Sequence, residues 1–240
     1  MKRLMKAMSA IMLMTAMLFA TGCNPEDDPN NNGGNNDGGL NGREYVDLGL
    51  PSGLLWATCN LGATTPEGYG EYYAWGETET KSNYDWTNYK HCNGNYYQLI
   101  KYCNKTEYGY NGYSDTLTIL QPTDDAAKVN MGGGWHIPSE ANWLELLQNT
   151  TNGWATQNGV NGWLFTASNG ENLFLPAAGC ETIDGFTQSE TYGYYWSNAL
   201  YEDNPAGAWV FGFGSDVHGL EYFSRCTGRP VRAVCSPGQE

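Results

Sequence analysis

Apolar and polar positions alternate most clearly between residues 131 and 147. Trp135 and Ile137 flank the polar His136 directly after three glycines, as in a half-buried strand that follows a turn. Ser139 follows two positions later and can accept hydrogen bonds from the free N–H groups of a first helical turn. The pattern therefore predicts a short strand that leads directly into a helix.

This helix is expected to pack against a sheet. Trp143, Leu144, Leu146 and Leu147 would give it one broad apolar face. A second, shorter helix is predicted over residues 124–130, with Thr123 as its N-cap. The pattern indicates no further helix.

The other apolar runs are short and end at Gly, Asn or Pro, which is typical of strands joined by turns. The first two runs form a predicted hairpin between residues 44 and 63, around a Pro-Ser-Gly turn at 51–53. Further strands are predicted at 162–166, 172–179, 193–198, 208–213 and 225–235. Aromatic residues recur in residues 69–113 without a clear period, which predicts a long packed loop region. Its tyrosines are interpreted mainly as packing residues, with a sugar-stacking surface as the alternative.

Composition agrees with one domain rich in strands and loops. The chain has 240 residues with 9 tryptophans, 17 tyrosines and 7 phenylalanines, enough for a full core. Its 31 glycines favour short strands and loops over a helical bundle. The formal net charge of -14 argues against nucleic acid as a partner.

The N-terminal residues have the order of an export signal. Residues 1–22 combine Lys2, Arg3 and Lys6 with an apolar run that is too short for a membrane-spanning helix. Residues 20–23 resemble a bacterial lipobox, which implies that Cys23 is lipidated. The acids at 26–28 resemble the signal that sends lipoproteins of the Bacteroidetes to the outer face of the outer membrane. Residues 23–42 are predicted to be a flexible tether, 43–236 the domain and 237–240 a tail.

Six cysteines remain after Cys23, and an even number in an exported chain favours disulfides over a zinc site. No C-x-x-C motif is present, and the three histidines are scattered. Six cysteines allow 15 sets of pairs, and spacing alone does not choose among them. These cysteines are Cys59, Cys92, Cys103, Cys180, Cys226 and Cys235.

From about Tyr45 to Cys235 the chain resembles the Fibrobacter succinogenes major paralogous domain family. The matching motifs lie at residues 45–53, 55–60, 73–77, 125–127, 135–138 with Trp143, 175–179, 195–197 and 228–232. His136 departs from the usual arginine, and Cys180 from a common aromatic residue. The resemblance implies an α+β, C-type-lectin-like fold, with a mostly antiparallel twisted sheet, two short helices, long loops, and paired first and last strands.

That strand pairing in turn implies a Cys59–Cys235 disulfide. Of the remaining cysteines, Cys92–Cys103 is favoured by proximity and Cys180–Cys226 by elimination.

Catalysis has little support in the sequence. The chain lacks G-x-S-x-G, H-E-x-x-H and a phosphate-binding glycine loop. Acid pairs such as Glu77 and Glu79 are expected by chance in a chain with 26 acids. A copper-dependent oxidase using Cys226 and Cys235 is disfavoured relative to disulfides. The calcium-lectin alternative is weak because Pro205 follows the acids and no Trp-Asn-Asp is present. We therefore expect no enzymatic activity, cofactor or metal.

The prediction that remains is a non-catalytic binding domain for a glycan or protein ligand, displayed at the cell surface. The alternatives are a structural or adhesin subunit of a surface assembly, and a variable protein of a diversity-generating retroelement. Loop residues that combine rings with carboxylates, an amide and a histidine are the predicted ligand site. They are Tyr201, Glu202, Asp203, Asn204, Asp216, His218, Glu221 and Tyr222.

Overall fold

The computed structural model describes residues 39–40 and 42–237, and these contain two α-helices and thirteen strands. The helices are α1 (Ala126–Met131) and α2 (Glu140–Gln148). The strands are β1 (Gly39–Leu40), β2 (Arg43–Asp47), β3 (Leu55–Ala57), β4 (Trp135–His136), β5 (Thr150–Gln157), β6 (Val160–Ala167), β7 (Asn172–Pro176), β8 (Cys180–Thr182), β9 (Gly185–Thr187), β10 (Tyr192–Leu200), β11 (Gly207–Gly214), β12 (His218–Ser224) and β13 (Val234–Cys235).

All named strand pairs are antiparallel. One sheet has the order β1-β2-β3-β13-β4, two others are the meanders β5-β6-β7 and β10-β11-β12, and β8 pairs with β9. Antiparallel sheets with two short helices confirm the predicted class at this level.

The two ends of the domain meet in the first sheet. The predicted hairpin is confirmed, with Tyr45 of β2 opposite Ala57 of β3. β13 lies between β3 and β4, so the last strand contacts the second arm of this hairpin and not its first arm. Arg232, fully buried just before β13, donates to the carbonyl oxygens of Ala57 and Thr58 at 3.2 and 2.8 Å. These bonds hold the segment before β13 against the hairpin of β2 and β3.

Helix α2 packs its tryptophan into the centre of the core. The Trp143 ring lies 4.9 Å from Trp56 and 5.1 Å from Phe211, measured between centroids. The predicted cap is confirmed, because the Ser139 hydroxyl accepts from the Asn142 N–H at 3.2 Å. The apolar face is narrower than predicted, since Leu144 is 43% exposed.

Helix α1 starts later than the sequence predicted. Thr123 lies in a 3-10 turn (Pro122–Asp124), and the N-cap is Asp125. The Asp125 carboxylate accepts from the N–H of Lys128 at 3.0 Å and from that of Ile137 at 2.9 Å. Asp125 therefore caps α1 and also binds the backbone of Ile137, the residue that follows β4. The sequence pattern around Thr123 gave no sign of this second contact.

The region from residue 69 to 113 is a packed loop, as predicted, with 3-10 turns at Trp86–Asn88, Thr106–Tyr108 and Tyr110–Gly112. Five of its tyrosines are buried, namely Tyr72, Tyr73, Tyr84, Tyr89 and Tyr102. Tyr96 and Tyr97 are 40% and 51% exposed. The packing interpretation therefore holds for the first group only.

The predicted disulfides are not formed among the described residues. Cys92, Cys103, Cys180, Cys226 and Cys235 have free thiols, which excludes the pairs Cys59–Cys235, Cys92–Cys103 and Cys180–Cys226 in this structure. The sulfur atoms instead contact oxygen atoms nearby. Cys92 Sγ lies 3.1 Å from the Trp86 carbonyl, and Cys103 Sγ lies 3.1 Å from that of Lys105. Burial raises the pKa of the Cys226 thiol to about 11.

The predictions for the chain ends fall outside the described residues. They concern the signal peptide at 1–22, lipidation of Cys23, most of the tether at 23–42, and residues 238–240 of the tail. Within residues 39–40 and 42–237, no helix is long and apolar enough to cross a membrane.

Candidate functional site

The candidate site is built on the hairpin of β11 and β12 and on the turn that leads into it from β10. Across this hairpin Trp209 lies directly opposite Tyr222. The turn is closed by hydrogen bonds from the Tyr201 N–H to the Gly207 carbonyl at 3.1 Å and from the Gly207 N–H to the Asn204 carbonyl at 2.8 Å. Opposed residues on one face of an antiparallel pair have adjacent side chains, so this register brings Trp209 and Tyr222 to the turn.

Three aromatic rings meet here, and we call Tyr201, Trp209 and Tyr222 the Tyr201 cluster. The rings of Tyr201 and Tyr222 are stacked, with centroids 3.8 Å apart and planes at 12°. Trp209 meets the Tyr201 ring edge-on at 5.1 Å. Tyr222 is 48% exposed, whereas Tyr201 and Trp209 are half-buried. The cluster therefore presents a supported aromatic surface to solvent.

A cleft of about 330 Å³ lies beside the Tyr201 cluster. A volume of this size is at the lower end of small-ligand sites. Tyr201 and Trp209 share its wall with Thr118, Ile119, Ala199, Leu200 and three carboxylates, those of Glu140, Glu202 and Asp203. The cleft is thus lined by both aromatic rings and carboxylates.

The carboxylates influence their neighbours electrostatically. Burial and then the charge of Glu202 raise the pKa of Glu140, the first residue of α2. Desolvation and then the charge of Asp203 raise the pKa of the Tyr201 hydroxyl. Glu140, Glu202 and Asp203 thus place three carboxylates in the lining of the cleft, where they can accept hydrogen bonds from a ligand.

The acidic turn is held in place by the long loop of residues 69–113. Asn104 Nδ2 donates to the Glu202 carbonyl at 3.0 Å, and Lys105 Nζ donates to the Asp203 carbonyl at 2.7 Å. These bonds engage the backbone of the turn. The side chains of Glu202 and Asp203 take no part in these two bonds, and both residues are exposed.

The eight predicted site residues do not form one surface. Tyr201, Glu202 and Asp203 line the cleft, and Tyr222 stacks on Tyr201. Asn204 is also in the turn, but its side-chain oxygen accepts from the Ala206 N–H at 3.1 Å and thereby shapes the loop.

The other three predicted residues lie elsewhere on the hairpin. Asp216 is exposed in the turn before β12, and His218 packs its ring 4.7 Å from that of Trp163. Four residues of strand, about 13 Å, separate His218 from Tyr222. Side chains alternate between the two faces of β12, so Glu221 lies on the other face from Tyr222. It pairs with Val210 of β11, and its carboxylate lies near Gly212.

Sequence reasoning missed Trp209 and Glu140. Apolar alternation in the sequence groups Trp209 with the core residues Phe211 and Phe213. In the structure Trp209 does lie on the same face of β11 as these two residues. It is less buried because it lies at the end of the strand, beside Tyr201. In the sequence, Glu140 indicates only a favourable charge at the start of α2. Knowledge of the β11–β12 register and of the position of α2 is what would have identified both.

In the described ranges no three His, Cys, Asp or Glu side chains are grouped so that they could hold a metal ion. No protein-family model, curated protein or solved structure matches this chain. The arrangement itself offers ring stacking beside carboxylate hydrogen-bond acceptors, at a shallow and partly open cleft.

Proposed function

We propose that this chain is a non-catalytic, surface-displayed module that binds a glycan at the Tyr201 cluster and the adjoining cleft. The observation that carries the proposal is the stacked, solvent-facing pair of Tyr201 and Tyr222 beside Glu202 and Asp203. A sugar has an apolar face, which stacks on a ring, and hydroxyl groups at its edge, which donate to carboxylates. Such a shallow site binds weakly, and many copies on one cell would make the binding useful.

The wider setting is part of the same proposal. The basic, apolar and small-residue order before Cys23 supports a lipid anchor on the outer membrane, facing the exterior. The sheet that joins the N-terminal hairpin to β13, with α1 and α2 packed nearby, supports a C-type-lectin-like fold. The motifs between Tyr45 and Cys235 support membership of the Fibrobacter succinogenes major paralogous domain family.

The first prediction concerns the rings of the Tyr201 cluster. Tyr201→Ala with Tyr222→Ala should abolish the binding of the full chain on a glycan array, because the two substitutions remove the ring surface on which a sugar face would stack. The melting temperature should change little, since Tyr222 is largely exposed. Binding and melting are measured on the same protein preparation.

Tyr192→Ala is the matched control. Tyr192 is also a partly exposed tyrosine stacked on another, Tyr194, at 5.9 Å, but it lies at the other end of β10. This variant should keep wild-type array binding. Undiminished binding by the Tyr201/Tyr222 double variant would place the ligand elsewhere and refute this site.

A further inference from the structure

A second group of exposed rings lies on the long loop and shares no residue with the Tyr201 cluster. The rings of Trp86, Tyr96, Tyr97 and Tyr108 form a continuous series, which we call the Tyr97 row. Successive centroids are 6.1 Å apart from Trp86 to Tyr96, 4.1 Å to Tyr97 and 5.2 Å to Tyr108. Tyr96 and Tyr97 are the exposed middle of this row, at 40% and 51%. Contiguous aromatic exposure of this kind marks an interaction surface more often than isolated surface residues do.

The row is supported from below by buried residues. Trp86 packs edge-on against the buried ring of Tyr89 at 5.4 Å. Leu99, fully buried, donates its N–H to the Tyr108 carbonyl at 2.8 Å. The core contacts therefore belong to Tyr89 and Leu99, and the outer rings of Tyr96 and Tyr97 are not needed to fill the core.

The backbone beneath the exposed pair is closed into a turn. The Asn95 side chain accepts from the Tyr97 N–H at 2.9 Å, and its carbonyl accepts from the Gln98 N–H at 2.9 Å. The Asn93 N–H in turn donates to the Gln98 carbonyl at 2.8 Å. Rings on such a closed turn lose little conformational freedom when they bind a ligand.

The turn that carries the exposed pair is uncharged, and the charged residues next to the outer rings, Asp85 beside Trp86 and Glu107 beside Tyr108, are acidic. Residues 92–100 contain no Asp, Glu, Lys or Arg, although the whole chain has a net charge of -14. The flanking side chains of Asn93, Asn95 and Gln98 are amides, which both donate and accept hydrogen bonds. The nearest lysines on either side, Lys90 and Lys101, are paired with Asp124.

A neutral ligand complements this surface better than a charged one. Single-stranded nucleic acid also stacks on rings, but it requires a basic groove, which an acidic chain does not supply. A row of flat rings bordered by amides fits the faces and hydroxyl groups of consecutive sugar units. We propose that the Tyr97 row is a second binding surface, which takes a neutral polysaccharide independently of the Tyr201 cluster.

The test is sedimentation of the full chain with insoluble cellulose, mannan, xylan and starch, and with polygalacturonate gel as the anionic comparison. The wild type should sediment with at least one neutral polysaccharide. Tyr96→Ala with Tyr97→Ala should weaken that binding by about tenfold or more, the loss expected for a stacking energy of ~1.4 kcal/mol. Tyr96→Phe with Tyr97→Phe keeps both rings and should stay close to wild type.

Two controls accompany these variants. Tyr192→Ala should bind as the wild type does, and melting temperatures within about 2–4 °C of wild type will show that each variant is folded. If the double alanine variant fails to fold, Tyr97→Ala alone, at the more exposed ring, replaces it.

The proposal is overturned if the wild type sediments with no neutral polysaccharide, if it prefers polygalacturonate, or if the folded alanine variant binds as the wild type does. The Tyr201/Tyr222 variant separates this outcome from failure of the first site. Array binding lost in that variant supports the proposed function whatever the sedimentation result. Polysaccharide binding lost in the Tyr96/Tyr97 variant but kept in the Tyr201/Tyr222 variant supports the second surface, and polysaccharide binding lost in the Tyr201/Tyr222 variant instead refutes it.

Discussion

At the scale of single residues, the most constrained charge is that of Asp124. This carboxylate is 3% exposed and accepts from Lys90 Nζ at 3.2 Å and from the Tyr102 hydroxyl at 2.7 Å. Burial alone would raise its pKa, but hydrogen bonds from Lys101 and Tyr102, together with His91, lower it to about 2. The site joins the long loop to the turn before α1, so its protonation state bears on stability.

His91 lies beside this carboxylate, and its pKa is also lowered, but through burial of the imidazole. Its Nε2 lies 2.8 Å from the Gly76 carbonyl and 4.0 Å from Asp124 Oδ1. Desolvation lowers the pKa of His91 to about 4. The folded protein therefore keeps the imidazole neutral at pH values where the unfolded chain, with an ordinary His pKa of about 6.5, already binds a proton.

Stability should fall in two steps as the pH decreases. Between about 6.5 and about 4 the unfolded chain binds an additional proton at His91, which lowers the free energy of unfolding by up to roughly 3 kcal/mol. Below 3.8 a further loss follows as Asp124 protonates first in the unfolded chain and in the folded protein only near pH 2. Urea unfolding at a series of pH values measures both steps.

His91→Gln should flatten the upper step while the lower step remains, because Gln carries no titrating proton. His218→Gln, at an exposed histidine, is the control and should keep the wild-type pH profile. An unchanged upper step in His91→Gln would show that another group is responsible.

At the scale of elements, close contact between β10 and β11 depends on a glycine. Gly193 lies opposite Phe213, and a Cβ atom at Gly193 would overlap the Phe213 ring. That ring is 1% exposed and stacks with Tyr195 at 6.0 Å between centroids. The ring cannot move away without displacing other core residues.

Gly193→Ala should therefore destabilise the protein by about 1–3 kcal/mol through overpacking. Gly153→Ala is the matched control, since Gly153 also lies in a strand but a Cβ atom added there would have no other atom within 4 Å. The control should be neutral or slightly stabilising. Equal urea midpoints for the two variants would contradict the packing argument.

At the scale of the whole molecule, the five free cysteines show that packing, and not cross-linking among them, holds the described domain together. All five are at most 9% exposed. Burial also raises the pKa of the thiols of Cys92, Cys103, Cys226 and Cys235, which lowers their thiolate fraction. Both effects slow the reaction of the native thiols with alkylating reagents.

Without reductant, iodoacetamide should label all five thiols in guanidinium chloride but label them only slowly in the native protein. Peptide mass spectrometry after the two treatments measures the difference. The chain reduced before denaturation is the control and should label the peptides of these five cysteines to the same extent. Alkylation-resistant peptides linked as Cys92–Cys103 or Cys180–Cys226 would instead support the pairing predicted from the sequence.

The sequence by itself determined the local elements. The hairpin of β2 and β3, the strand at Trp135, helix α2 with its Ser139 cap, and the strands β6, β7, β10 and β11 all follow from apolar alternation and from turn or capping residues. These signals depend on neighbours a few positions apart, so they are present in the sequence. They also placed Tyr201 and Tyr222 in loops, which is wrong for Tyr222, a residue of β12.

Only the tertiary structure decided which of these residues meet. The register of β11 and β12 brings Trp209 to Tyr222, and the same hairpin separates His218 from them. A hydrogen bond from the Ile137 N–H joins the Asp125 carboxylate to the residue after β4, and long-range hydrogen bonds hold the buried Arg232 against the N-terminal hairpin. Burial likewise divides the tyrosines of the long loop into core residues and the exposed Tyr97 row. Contacts between residues far apart in sequence depend on strand register and core packing, and apolar periodicity contains no information about either.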